Sequence, residues 1–111
     1  MKLTSRHRRT LDNLVGASEE RKVQWVVGGE RDFFIVELKS GAIEVGPWSS
    51  DQVVVRFLNT NGDVLEMFNT YEMFDSEDRL LLQQVHNVAR RRALRVDEVM
   101  GELESEIEKL K

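Results

Sequence analysis

A chain of 111 residues, 41% hydrophobic and 32% charged, is long enough for one modest core and too apolar to stay disordered. Its formal net charge of −4 sets the overall field against nucleic acid, and the lack of cysteine removes disulfides, thiolate metal sites and thiol nucleophiles. No apolar run approaches the roughly 20 residues of a spanning helix, and the basic start lacks the apolar segment of a secretion signal, so a cytoplasmic location is expected.

The first expected element is a short amphipathic helix over residues 4–17, with Leu11, Leu14 and Val15 at helical spacing. The period then changes. Over residues 22–27, Val23, Trp25 and Val27 alternate as in a strand, and Gly28-Gly29 offers the positive φ of a tight turn. A second strand over 32–39 is dense in Phe and β-branched residues. A third, over 42–45, is expected to stop at Gly46-Pro47, because proline cannot donate to a ladder.

Strands over 52–58 and 63–68 flank Asn59-Thr60-Asn61-Gly62. Asn61-Gly62 predicts a type I′ hairpin that pairs Thr60 with Asp63, Leu58 with Leu65 and Arg56 with Met67. From Asp75 the period is helical. Asp75 or Ser76 caps a helix over 76–94, Glu77 and Asp78 favour its positive first turn, and Leu81, Leu82, Val85, Val88, Ala89 and Ala93 form its stripe. Asp97 reads as a second cap, opening a helix over 98–110. Its stripe of Val96, Met100, Leu103, Ile107 and Leu110 advances by alternate steps of four and three. The stripe is interrupted at Arg92, which predicts a break near Arg95; one long kinked helix is the alternative.

One helix, about five hairpin-linked strands and two further helices in a single domain make the class α+β. The strand over 32–39 is apolar on both faces, with Phe34, Val36 and Leu38 on one and Phe33 and Ile35 on the other. Either helices cover both faces of the sheet or a second chain covers one.

The segment Asp32-Phe33-Phe34-Ile35-Val36-Glu37-Leu38-Lys39 places Glu37 and Lys39 on one face of a strand. It resembles the catalytic strand of the PD-(D/E)xK nucleases. That resemblance implies a divalent metal held by Glu37 and an upstream carboxylate, with Asp32 standing in for it, and Lys39 at the attacking water. It covers these eight residues and departs from the family twice: Asp32 lies on the same strand as Glu37, and a strand rather than a helix follows Lys39.

Two basic groups, Arg6, Arg8 and Arg9 and then Arg90, Arg91 and Arg95, could hold a phosphate backbone or an acidic protein surface if the fold unites them. The aromatic side chains that stack bases are scarce. His7 and His86 have no ligand partner at metal spacing. Trp48 reads as a plug for the end of the core, or else as a partner anchor. The last helix is marginal alone and must dock, either on its own domain or on another helix.

The expectation is a non-enzymatic protein-interaction or regulatory module without a cofactor or resident metal, acting on another protein or on a second copy. Its interface residues would be Phe33, Ile35, Trp48, Met100, Leu103, Ile107 and Leu110. A nucleic-acid accessory protein using the arginines is the alternative, and a metal-dependent nuclease using Asp32, Glu37 and Lys39 is the second.

Overall fold

A computed structural model of the chain describes residues 2–49 and 51–111. Helix α1 (Ser5–Glu19) starts at Thr4, whose hydroxyl accepts the His7 amide and so satisfies one of the orphan donors of the first turn. Five strands follow: β1 (Trp25–Val27), β2 (Phe34–Leu38), β3 (Gly41–Ser49), β4 (Gln52–Leu58) and β5 (Val64–Asn69). They form one antiparallel sheet in the order β1-β2-β3-β4-β5. A single 3-10 turn leads to α2 (Ser76–Ala93) and α3 (Val96–Lys109). The α+β class, the element order and the meander are as expected from the sequence.

The inner face of the sheet carries Trp25, Phe34, Val36, Ile43, Val45, Val53 and Val55 against Leu11 and Leu14 of α1 and Leu81, Leu82, Val85 and Ala89 of α2. The Trp25 indole N–H donates to Ser18 Oγ at 2.8 Å, and that hydroxyl donates to the Leu14 carbonyl at 2.6 Å. Both polar groups are therefore satisfied where β1 meets α1.

The two core helices run parallel. At their starts, Asp78 of α2 accepts the Leu3 amide at 3.1 Å and the Arg8 guanidinium at 2.7 and 3.1 Å. At their ends, Arg92 donates to the carbonyls of Ser18 and Glu19 at 3.1 and 3.0 Å, which closes the C-terminus of α1.

Four local expectations are corrected. The loop after β1 does not take its turn from Gly28-Gly29; Asp32 supplies the positive φ, at 64°, and Gly28 closes the loop by donating to the Phe33 carbonyl. The third strand does not stop at Gly46-Pro47 but continues to Ser49 through an irregularity between Pro47 and Ser49. Pro47 pairs with Val53, whose N–H turns away to Thr70 Oγ1 at 3.0 Å, so this pair needs no bond from proline. On its other side β2 has already ended, at the Phe34–Val45 pair.

The hairpin turn is not type I′. Asn59 Oδ1 accepts the amides of Asn61 and Asp63, and the Asn59 carbonyl accepts the Gly62 amide, so a three-residue loop forms with only Gly62 at positive φ, 86°. A register shift follows. Leu58 faces Val64 instead of Leu65, while Arg56 faces Met67 as expected. Finally, Asp97 is not the cap of α3: Arg95 precedes the helix in the left-handed conformation (φ 54°, ψ 45°), and Asp97 lies in the first turn.

The centre of the outer face of the sheet is closed by its own chain, while Val26, Leu65 and Met67 on that face stay exposed. Phe33, in the loop before β2, lies over Gly46 and is buried, and Val54 is fully buried. The Arg56 guanidinium stacks on the Phe33 ring at 4.6 Å and is held by Glu44 at 2.9 Å and Glu30 at 3.2 Å. Neither a helix nor a second chain is needed for Phe33 and Val54, which accounts for part of the apolar surplus in β2 and β4.

Candidate functional site

Helix α3 leaves the body at Arg95 and buries none of its residues. The bound turn is its first. Asp97 pairs with Arg91 and, at 3.6 Å, with Arg92, and Glu98 pairs with Arg21 at 3.3 Å. Beyond it, Val99, Met100, Leu103, Ile107 and Leu110 stay 44–84% exposed. The extents of 53 × 31 × 25 Å and a radius of gyration of 15.4 Å, against roughly 13 Å for a compact chain of this length, record that projection. Docking of the last helix on its own sheet or on α2 is therefore corrected; the left-handed break at Arg95 carries it away.

An amphipathic helix of 14 residues with an uncovered apolar stripe is marginal in water, so the stripe is a feature that the fold of the body does not explain. Chemically it offers a narrow aliphatic seam flanked by carboxylates, suited to another amphipathic helix.

The other interface residues divide. Phe33 is buried within the outer face, Ile35 is half-buried, and Trp48 lies on β3 with 42% of its surface exposed, so it does not plug the core.

The two basic groups do not meet. Arg8 is bound to Asp78 at the start of α2, and the second group lies at the other end of that helix, roughly 20 Å away along its axis. Arg91 is held by Asp97. Among the described residues Arg6, Arg9, Arg90 and Arg95 make no ion pair, but they fall into two separate places.

Of the nuclease-like residues, Asp32 is exposed in the loop before β2, Glu37 is exposed opposite Ala42, and Lys39 lies in the turn beyond the strand. Among the described residues no group of three His, Cys, Asp or Glu could hold a metal ion. The three side chains share no converging carboxylate pair.

His86 is half-buried beside Phe34, with ring centroids 6.2 Å apart. Burial, and then the nearby charge of Arg90, lower its pKa below the usual imidazole value, while Asp32 opposes them. A lowered folded-state value means that the unfolded chain takes the proton first. Stability is then intact above about pH 6.5 and falls as the pH drops from there towards the folded value. Urea midpoints at about pH 7.5 and pH 5.5 should show that loss, and His86→Gln should reduce it. A loss equal in both proteins would assign it to other groups.

Sequence reading missed Asp78 as a structural group. It lies three and four residues before Leu81 and Leu82, on the apolar stripe itself, and that spacing was the available signal. No described helix is long and apolar enough to cross a membrane. No protein-family model, curated protein or solved structure matches the chain.

Proposed function

We propose that this chain is a non-enzymatic protein-interaction module of the cytoplasm whose working element is α3. One observation carries the reading: the seam of Met100, Leu103, Ile107 and Leu110 is uncovered on a helix that buries nothing in its own body. An apolar stripe on a soluble helix is stable when something lies on it, and here that partner comes from outside the body. The folded body positions the arm through Arg21, Arg91 and Arg92, which grip the first turn.

The test separates binding from folding. Leu103→Glu should leave the melting transition of the body nearly unchanged, within about 0.5 kcal/mol, because exposed positions contribute little to stability. The same change should abolish association, measured as mass in solution for self-association and as capture by the tagged chain for any other protein. A variant that unfolds the body, or one that associates as the parent does, would overturn the reading.

A further inference from the structure

We infer that α3 pairs in parallel with α3 of a second copy of this chain, an inference that rests on α3 being the contact element. The steps of four and three assign Met100 and Ile107 to the first core position of a heptad, and Val96, Leu103 and Leu110 to the second. A β-branched residue at the first position with leucine at the second favours two parallel strands, and Ile107 with Leu110 has that pattern.

The flanking charges choose the occupant and its direction. In this register Asp97, Glu104 and Lys111 border the seam on one side and Val99 and Glu106 border it on the other. In a parallel pair each Glu106 meets Lys111 of the second copy, since that flanking position faces the one five residues further along the partner. The contact occurs twice across the two-fold axis, so one sequence supplies both charges of a self-complementary interface. An antiparallel pair that keeps the four layers from Met100 to Leu110 opposes Glu104 to Glu104 and Glu106 to Glu106, and it sets Lys111 opposite Asp97, a carboxylate already held by Arg91 and Arg92 of its own chain. Acid would then face acid at the centre of the pair.

Barely two heptads are present, so pairing should depend on concentration. Gly101 weakens the helix, and a Cβ built there meets nothing within 4 Å. Gly101→Ala should therefore raise helicity and tighten the pair.

The absence of cysteine makes the test direct. In Leu110→Cys the single thiol of each copy falls in the same layer of a parallel pair, and at opposite ends of an antiparallel one. Mild oxidation of the purified chain should give a linked species of twice 12.9 kDa. Ile107→Glu in that background should reduce its yield on the order of tenfold or more. Sedimentation of the parent should show a mass rising with concentration towards the same value.

A dimer that leaves Leu110→Cys unlinked, or that Ile107→Glu does not weaken, overturns the parallel pairing. A chain that stays monomeric overturns the second copy as occupant. If such a monomer captures another protein and loses it with Leu103→Glu, only the choice of partner fails; if it captures none, the interaction reading fails with it.

Discussion

Replacing Asp78 with alanine should cost the fold about 2–4 kcal/mol, read as a shift of the urea midpoint at unchanged slope. The side chain is fully buried at the start of α2 and ties three segments together there: residues 2–4, α1 and α2. Its Oδ2 holds the amide of Leu3, itself 3% exposed, and its Oδ1 takes both Nε and Nη2 of Arg8. Once the carboxylate is gone, Arg8 can turn to water, because 37% of its side chain is already exposed. The Leu3 amide has no such exit, so residues 2–4 should peel from the core and take the Leu3 side chain with them. Asp75, which caps the same helix from a half-buried position, should matter less when replaced by alanine. Joint replacement by Asp78→Leu and Arg8→Met should recover part of the loss, because a buried pair exchanged for apolar groups of similar size is often neutral. A loss below about 1 kcal/mol for Asp78→Ala would reduce it to a surface acid and return Arg8 to the basic surface.

Periodicity was enough for the order of the elements, since it reports which side of each one is apolar. The switch near Asp75 and the interruption of the stripe at Arg92 therefore placed α2 and the break at Arg95. What periodicity does not carry is the partner of each face. Arg92 is one residue in an arginine run by sequence, yet it caps α1, 74 residues earlier in the chain for the bond to Ser18. The hairpin at Asn59 was legible as a hairpin but not as a turn type, because the Asn59 side chain outbid the preference of Asn61-Gly62. Likewise, the direction of α3 hangs on one left-handed residue, Arg95, where a helical φ would have continued α2. The candidate site was thus legible as a stripe in the sequence, whereas its exposure required the fold.

Gly46→Ala should cost about 2–3 kcal/mol although an alanine is ordinarily the better strand residue. A Cβ at that position would stand 2.5–2.6 Å from Cγ, Cδ1 and Cδ2 of Phe33, so the whole ring must leave rather than one atom shift. Leaving exposes the Phe33 ring and removes the surface on which Arg56 stacks, so Glu30 and Glu44 would hold a guanidinium with one face open. A double-mutant cycle isolates this cause. Phe33→Ala alone should cost about 3 kcal/mol, as for other truncated buried aromatics, and Gly46→Ala should then add less than about 0.5 kcal/mol. If Gly46→Ala keeps its full cost without the ring, the strand itself rejects the side chain and Phe33 is not what closes this face. The result bears on function through the surface it leaves available. With Phe33 folded over Gly46 the apolar centre of the outer face is satisfied within one chain, so the proposed contact rests on the seam of α3 rather than on this part of the sheet.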